Sequence, residues 1–206
     1  MYQKIKRFLI DLLFPAFCLG CNNEGTYLCD DCKATLEILE KRYCLCQENP
    51  TMTRIGKCQR CASNNLSGLY FALYFKERAL TRKLIHFFGN EPYYLRDLAK
   101  PLSLLIKDHL SLIEANNKEL FSNSAFVFME QDIKEAKARG YNQSEELAKE
   151  LSKLFNIPII KDYGKIKDMK VFLVDDIYKP NEMENYAKAL KEKGAQEVWG
   201  ITVTRQ

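Results

Sequence analysis

Four stretches of the chain are continuously apolar, and amphipathic stretches separate most of them. Runs of Val, Ile, Leu and Phe without polar alternation are typical of parallel strands that are covered on both faces. The predicted strands are residues 69–75, 125–129, 171–178 and 198–203. Strands that alternate with helices predict an α/β fold built on a parallel sheet.

Helical periodicity places the intervening segments. Apolar residues recur three and four positions apart in residues 79–88, 95–112 and 147–155, which predicts amphipathic helices that pack on the sheet. Pro101 has no backbone N–H, so we expect it to break the second of these helices near its start.

Two helix starts carry capping signals. Asn142 and Glu145 have the spacing of a capping box, and so do Asn181 and Glu184. Each Asn is therefore predicted to accept a hydrogen bond at a helix N-terminus. Gly194 predicts the end of the helix that follows Asn181.

The cysteines are confined to one short segment, since all 8 lie within residues 18–61. They form four close pairs: Cys18 and Cys21, Cys29 and Cys32, Cys44 and Cys46, and Cys58 and Cys61. Two pairs supply the four thiolates of a tetrahedral zinc site, which leaves no open position, so one or two structural zinc ions are predicted. Consecutive and interleaved pairings both remain open, and the one-residue spacer between Cys44 and Cys46 is tighter than usual.

A disulfide framework is the alternative, and the N-terminus argues against it. Lys4, Lys6 and Arg7 precede a short apolar run, but Asp11 interrupts that run and no small-residue cleavage site follows. Without a secretory signal, metal binding in the cytoplasm is favoured over disulfides. Residues 1–17 instead predict a short amphipathic helix packed on the protein, with weak contact to a membrane surface as the alternative.

Composition changes this picture little. A hydrophobic content of 47% and a charged content of 28% are ordinary for a soluble globular protein, and no stretch approaches the roughly 20 apolar residues of a membrane-spanning helix. A net charge of +4 permits nucleic-acid contact without requiring it. The clustered cysteines divide the 206 residues into an N-terminal helix and zinc-ribbon module, 1–66, and a second domain, 67–206.

Asp175 and Asp176 lie near the carboxyl end of the third predicted strand and are expected to form its acidic tip. In an open parallel sheet, ligands bind just past the carboxyl ends of the strands. Two carboxylates there can accept hydrogen bonds from sugar hydroxyls or hold a divalent cation. The alternative is a solvated pair of acids with no ligand.

This strand resembles the phosphoribosyltransferase fingerprint, in which two acids precede a Thr-Thr-Gly-x-Thr loop that cradles a ribose 5-phosphate. The loop positions fall here on residues 179–183, which lack those hydroxyls and the glycine. Pro180 removes one N–H and Glu182 adds a negative charge, and Lys179 with the helix N-terminus compensates only in part. The resemblance implies a ribose, phosphate or magnesium site formed by Asp175, Asp176, Lys179, Asn181 and Arg139.

The chain also resembles the ComF family along most of its length. Leu12-Leu13-Phe14-Pro15-x-x-Cys18-x-x-Cys21 is similar to the opening of that family, and Arg139-Gly140-Tyr141-Asn142-Gln143 is similar to its Arg-Gly-Phe-Asn-Gln. The family joins a zinc ribbon to a type I phosphoribosyltransferase-like domain. The resemblance implies that Arg139 is an anion contact beside the strand ends, and the alternative is that its motif only caps a helix.

Three departures from the family bear on chemistry. The phosphate loop is altered, and only residues 161–170 stand where the family has a long basic cover. Glu130, Gln131 and Asp132 follow the second strand, and the two acids among them would repel pyrophosphate. His86 lies in a Leu-Ile-His match that lacks the family's following Lys-Tyr, so it predicts a packed helix residue. No catalytic residue is assigned, and any transferase activity is expected to be weak or lost.

The resemblance implies a competence protein that handles single-stranded DNA in the cytoplasm during natural transformation, at the inner face of the cytoplasmic membrane. Its implied partners are DNA-uptake channel or helicase proteins. Candidate phosphate contacts are Arg54, Lys57 and Arg60, with Tyr27 and Tyr43 as exposed rings for base stacking.

Two other functions remain open. An active phosphoribosyltransferase would need Mg²⁺ and 5-phosphoribosyl-1-pyrophosphate, with Asp175 and Asp176 on the ribose hydroxyls or the metal and Arg139 near the pyrophosphate. A non-catalytic scaffold would use both domains only to hold DNA-uptake partners.

Overall fold

The computed structural model describes residues 15–75, 79–114, 117–130 and 140–205. Four strands form one sheet in the order β1-β4-β3-β2, and every pairing in it is parallel. The strands are β1 (Gly68–Tyr74), β2 (Ser124–Phe128), β3 (Lys170–Tyr178) and β4 (Glu197–Arg205). The predicted α/β fold with a parallel sheet is confirmed.

Helices flank the sheet on both faces. They are α1 (Asp30–Ala34), α2 (Ala79–Asn90), α3 (Pro92–Ile113), α4 (Asn117–Leu120), α5 (Gln143–Phe155) and α6 (Pro180–Glu192). The expected break at Pro101 is wrong, because α3 runs through it. Leu98, Leu102 and Leu105 are fully buried around this proline. Their burial contributes about 6 kcal/mol, more than the roughly 3 kcal/mol that an internal proline costs.

One predicted cap is confirmed and the other is wrong. The Asn142 side chain accepts a hydrogen bond from the backbone N–H of Glu145 at 3.0 Å. Asn181 does not cap α6, because Lys179 is the N-cap and Pro180 takes the first helical position. Proline suits that position, since its fixed φ is helical and the N–H it lacks would have no partner there.

The sheet has a hydrophobic core on each face. Tyr70 and Phe172 point to the face covered by α2, α3 and α5, where the larger core lies. Leu69 and Leu173, one residue away in each strand, point to the face covered by α6. This alternation places every strand between two cores, which explains its unbroken apolar sequence.

The cysteine-rich segment packs on both faces of the sheet. We call residues 15–40 the first lobe and residues 41–66 the second lobe. Leu28 and Leu36 of the first lobe join the core under α2 and α3, whereas Leu45 and Leu66 of the second lobe join the core under α6. The chain therefore crosses from one side of the sheet to the other between the two lobes.

The crossing covers the outer edge of β1. The backbone N–H of Leu39 donates to the Ala72 carbonyl oxygen at 3.0 Å. At the opposite edge, the N–H of Ile160 donates to the carbonyl oxygen of Phe126 at 2.9 Å. Both edge strands thus have backbone partners beyond the sheet.

No helix among the described residues is long and apolar enough to cross a bilayer. The amphipathic helix predicted over residues 1–17 falls almost wholly outside the described ranges, which begin at Pro15.

Candidate metal centres and ligand cleft

The first lobe brings four cysteine sulfurs together: Cys18, Cys21, Cys29 and Cys32. The Sγ atoms of this set all lie within 4.8 Å of one another, and Cys29 Sγ lies 3.6 Å from both Cys18 Sγ and Cys21 Sγ. A tetrahedron with zinc–sulfur bonds of about 2.3 Å has edges of about 3.8 Å, so the spacing fits zinc. The N–H of Cys32 donates to Cys29 Sγ at 3.4 Å as α1 begins, which fixes this knuckle.

The second lobe forms a similar set from Cys44, Cys46, Cys58 and Cys61. Cys58 Sγ lies 3.5 Å from Cys46 Sγ and 3.7 Å from Cys61 Sγ. The pairing is consecutive, and the interleaved alternative is excluded. All eight cysteines are free, and these distances far exceed the roughly 2.05 Å of a disulfide.

Crowding sets the protonation of these thiols. Contact with the Cys29 thiol raises the pKa of Cys32 to about 12. Burial raises the pKa of the Cys18 thiol, but N–H groups of the surrounding turn outweigh that effect and lower it to about 6. Four thiolates this close repel one another, and a divalent cation is what allows all four to ionise. A closed four-sulfur shell makes such an ion structural.

The acid pair lies inside β3, because the strand continues to Tyr178. The predicted position at the strand tip is wrong by two residues. The alternative of a solvated pair is also wrong, since Asp175 and Asp176 are only 3% and 4% exposed. Ser144 Oγ donates to Asp175 Oδ1 at 2.6 Å, and burial followed by the charge of Asp176 raises the pKa of Asp175 well above its usual value.

Two clefts meet beside this pair, at Lys179. One, of about 240 Å³, is lined by Gln47, Tyr178, Lys179, Pro180, Asn181 and Glu182, and we call it the Asn181 cleft. The other, of about 230 Å³, includes His86, Gln143, Asp176 and Lys179, and we call it the Asp176 cleft.

Lys179 supplies the positive charge at both clefts. Its Nζ lies 3.5 Å from a carboxylate oxygen of Glu182. Burial lowers the pKa of Lys179, but the charges of Asp175, Glu182 and Asp176 outweigh it and raise the pKa overall. The ammonium therefore stays charged at neutral pH and partly offsets the buried acids.

Other predicted anion-site residues are only partly described. Arg139, Gln131 and Asp132 lie outside the described residues. Glu130 is described, and its carboxylate accepts a hydrogen bond from the Tyr163 hydroxyl at 3.3 Å. Its backbone N–H donates to the Tyr186 hydroxyl at 3.1 Å, which ties this segment to α6.

The three predicted DNA contacts have different surroundings. Arg54 and Arg60 are exposed, and the Arg60 guanidinium donates to the Asn49 carbonyl oxygen at 2.7 Å. Lys57 is half-buried, and its Nζ donates to the carbonyl oxygen of Asn64 at 2.5 Å. Burial lowers the pKa of Lys57, and the hydrogen bond to Asn64 ties its side chain to the connector after the second zinc site.

The expected aromatic surface is wrong. Tyr27 and Tyr43 are both partly buried, and the Tyr43 ring packs 6.0 Å from the Tyr74 ring. The exposed apolar residues of the second lobe are Met52, 62% exposed, and Ile55, 76% exposed. They lie on either side of Arg54 in the sequence. The one feature of the sequence that could have pointed to them is the presence of two apolar residues in an otherwise polar turn.

Two cations that the sequence did not single out, one partly buried and one fully buried, join the second lobe to the rest of the chain. Arg42 forms an ion pair with Glu114 at the end of α3 and lies 4.9 Å from the centre of the Tyr70 ring. Arg205, the last residue of β4, is 1% exposed, and its Nη1 donates to the Cys44 carbonyl oxygen at 2.6 Å.

One known domain family matches these centres. The model of the double zinc ribbon domain matches residues 9–62, which include both cysteine sets and none of the sheet. No curated protein matches the chain. The N-terminal region therefore carries a double zinc ribbon domain with two clusters of four cysteines each.

Proposed function

We propose that the second lobe binds single-stranded DNA. The observation that carries this proposal is the separation of charge between the two lobes. The second lobe has five Lys and Arg residues against one acid, whereas the first has one Lys against five acids. A polyanion is attracted to the second lobe and repelled by the first.

The exposed side chains of the second lobe suit an unpaired strand. The guanidinium groups of Arg54 and Arg60 can neutralise phosphates, which supplies most of the affinity in sequence-independent binding. Met52 and Ile55 offer apolar contact to unstacked bases on either side of Arg54. The double zinc ribbon is compatible with a nucleic-acid function and gives this surface a rigid base.

The cellular setting of the proposal rests on the resemblance to ComF proteins. That resemblance implies that the chain handles incoming single-stranded DNA during natural transformation, on the cytoplasmic side of the membrane, with DNA-uptake channel or helicase proteins as its partners.

Fluorescence anisotropy with a labelled oligo-dT of about 30 nucleotides tests the proposal over a series of salt concentrations. Arg54→Gln combined with Arg60→Gln should lower affinity about tenfold and reduce the slope of log K against log salt by about 1.4, or 0.7 per phosphate contact. Lys100→Gln combined with Lys107→Gln removes two exposed charges of α3 as the matched control. An unchanged affinity in the first variant, at unchanged zinc content, overturns the proposal.

Binding of a phosphorylated ribose is the second candidate. What favours it is the position of Lys179, which lines both clefts beside Asp176. A phosphate would displace Glu182 from the ammonium, and Asp176 would accept hydrogen bonds from ribose hydroxyls, with Mg²⁺ as the bridging ion. We infer binding without turnover, because Pro180 and Glu182 occupy the phosphate loop.

Calorimetric titration with 5-phosphoribosyl-1-pyrophosphate and Mg²⁺ tests this second candidate. Heat of binding that is lost in Lys179→Met and kept in Lys188→Met supports it. No heat with the unaltered chain rejects the ligand, and pyrophosphate release that Asp175→Ala abolishes would instead establish an active transferase.

A further inference from the structure

Arg205 reaches from the end of β4 into the second zinc site. Its Nη1 donates to the Cys44 carbonyl oxygen at 2.6 Å, and its Nη2 donates to the Cys46 carbonyl oxygen. These carbonyls belong to two of the four metal ligands of the second lobe, 161 and 159 residues earlier in the chain. A buried guanidinium costs free energy unless its donors are paired, so these contacts are strong constraints on the knuckle.

Aromatic rings fix the orientation of this guanidinium. Its central carbon lies 5.5 Å from the centre of the Phe71 ring and 5.4 Å from that of Tyr178. The Tyr178 hydroxyl donates to the Leu45 carbonyl oxygen at 3.5 Å. The ends of β3 and β4 thus provide donors for three consecutive carbonyls of the knuckle.

The spacing of the knuckle explains why it needs these donors. In the Cys29 knuckle of the first lobe, the N–H of Cys32 turns back to bond the sulfur three residues earlier. Cys44 and Cys46 are separated by one residue, Leu45, at which the backbone bends. The carbonyl oxygens of residues 44–46 accept hydrogen bonds from Arg205 and Tyr178, so the conformation of this bend depends on donors from β3 and β4.

We propose that Arg205 is a positioning residue of the second zinc site, which holds the Cys44 and Cys46 sulfurs toward Cys58 and Cys61. Zinc affinity in the second lobe then depends on the last strand of the sheet. The charge favours the same arrangement, because a zinc ion with four thiolates carries two net negative charges and the guanidinium lies behind two of its ligands. At the first zinc site the corresponding contact, to a carbonyl oxygen between two cysteine ligands, is longer: Lys83 Nζ lies 3.5 Å from the carbonyl oxygen of Leu19.

Zinc release to an excess of a chromogenic chelator tests this inference on the full chain. Cys21→Ser leaves only the second site competent, and Cys58→Ser leaves only the first. In the Cys21→Ser background, Arg205→Met should speed release at least tenfold, and Arg205→Lys should give an intermediate rate because it keeps the charge and loses the fork. Neither change should alter release in the Cys58→Ser background, and Lys83→Met, the matched control, should leave the second site unchanged.

Two results would overturn the proposal. The first is a wild-type release rate from the second site in Arg205→Lys or Arg205→Met with unchanged far-ultraviolet circular dichroism. The second result applies even if the Arg205 variants do not fold. Because coupling between two sites is reciprocal, loss of the second zinc site should in turn loosen the end of β4. Cys58→Ser should speed amide hydrogen exchange at residues 203–205 at least tenfold over Cys21→Ser, and equal exchange in the two variants rejects the coupling.

Discussion

His109 Nδ1, in α3, lies 2.6 Å from the carbonyl oxygen of Leu39 in the first lobe. A carbonyl only accepts, so Nδ1 carries the proton, and Nε2 is buried with no hydrogen-bond partner among the described residues. Burial lowers the pKa of His109 from 6.5 to about 4. This contact joins the zinc-binding segment to the helices and makes the joint sensitive to acid.

The wild-type protein should lose stability on acidification because of His109. The folded state favours the neutral ring of His109. The contribution of this residue to stability is therefore complete above pH 6.5 and is lost as the pH falls toward 4. The loss between pH 7 and pH 5 should be about 2 kcal/mol. His109→Gln keeps a donor for the Leu39 carbonyl oxygen and does not titrate. Its free energy of unfolding, measured in urea, should therefore not show this loss between pH 7 and pH 5.

The control for this prediction is His86→Gln, which changes the exposed histidine of α2. Acid also releases zinc, so both variants are compared with wild type at matched metal occupancy. Equal pH dependence in wild type and His109→Gln contradicts the prediction.

Asp175→Asn should stabilise the fold. Burial and the neighbouring Asp176 raise the pKa of Asp175, so its ionisation opposes folding as the pH rises. Asn keeps an oxygen for the Ser144 hydroxyl and removes the charge. We expect a gain of about 1–2 kcal/mol at pH 8 and a smaller gain at pH 5 in urea unfolding.

Asp162→Asn, at an exposed position that keeps its oxygen acceptor, is the matched control. A gain that is larger at pH 5 than at pH 8 would show that Asp175 is not the destabilising charge.

Gly20→Ala should disable the first zinc site alone. A Cβ atom at Gly20 would lie 2.5 Å from Cys32 Sγ and 3.1 Å from Cys32 Cβ. A metal-bound sulfur cannot move aside without breaking its tetrahedron. Absorption titration with Co²⁺ should detect one tight site in place of two, with the first weakened at least tenfold. Asn23→Ala, an exposed position in the same turn, should keep both, and two tight sites in Gly20→Ala would refute the expectation.

Glu184 should stabilise the connector between the second lobe and the sheet. Its carboxylate accepts from the side-chain amide of Asn65 at 2.8 Å and from the Leu66 backbone N–H at 3.2 Å. Glu184→Ala leaves these donors without an acceptor, which should cost about 2 kcal/mol. Urea unfolding should show a cost below about 0.5 kcal/mol for Glu192→Ala, an exposed acid of the same helix. Equal costs in the two variants would mean that the connector does not depend on Glu184.

The strands and cysteine sets were predictable because their signals are local. An unbroken apolar run such as residues 171–178 indicates a strand that is buried on both faces of the sheet. Two cysteines close in sequence indicate a pair of ligands to one metal ion. The α6 start was not predictable from capping alone. Both Asn181 and Pro180 carry helix-start signals, and the proline determines the boundary while Glu184 serves Asn65 and Leu66 instead.

Contacts between distant parts of the chain left no sequence signal. Arg205 ends an apolar strand and reads as a solvent-exposed charge, yet its acceptors are carbonyls 161 and 159 residues away. Backbone carbonyls have no side-chain identity, so no residue pattern marks them as partners. Arg42 and His109 were also missed, because their partners, the Glu114 carboxylate and the Leu39 carbonyl oxygen, come close to them only when the lobes pack on the sheet.

Leu39 lies along β1 between the two metal centres, so the zinc ribbons also shield a strand rich in aromatic residues. Removal of the metal would expose the outer edge of β1, which could then pair with the same strand of another molecule, and the protein would self-associate. We expect light scattering to rise after chelation and to stay low when zinc is restored before unfolding. The zinc supply of the cell would thereby set how much of this protein self-associates through β1.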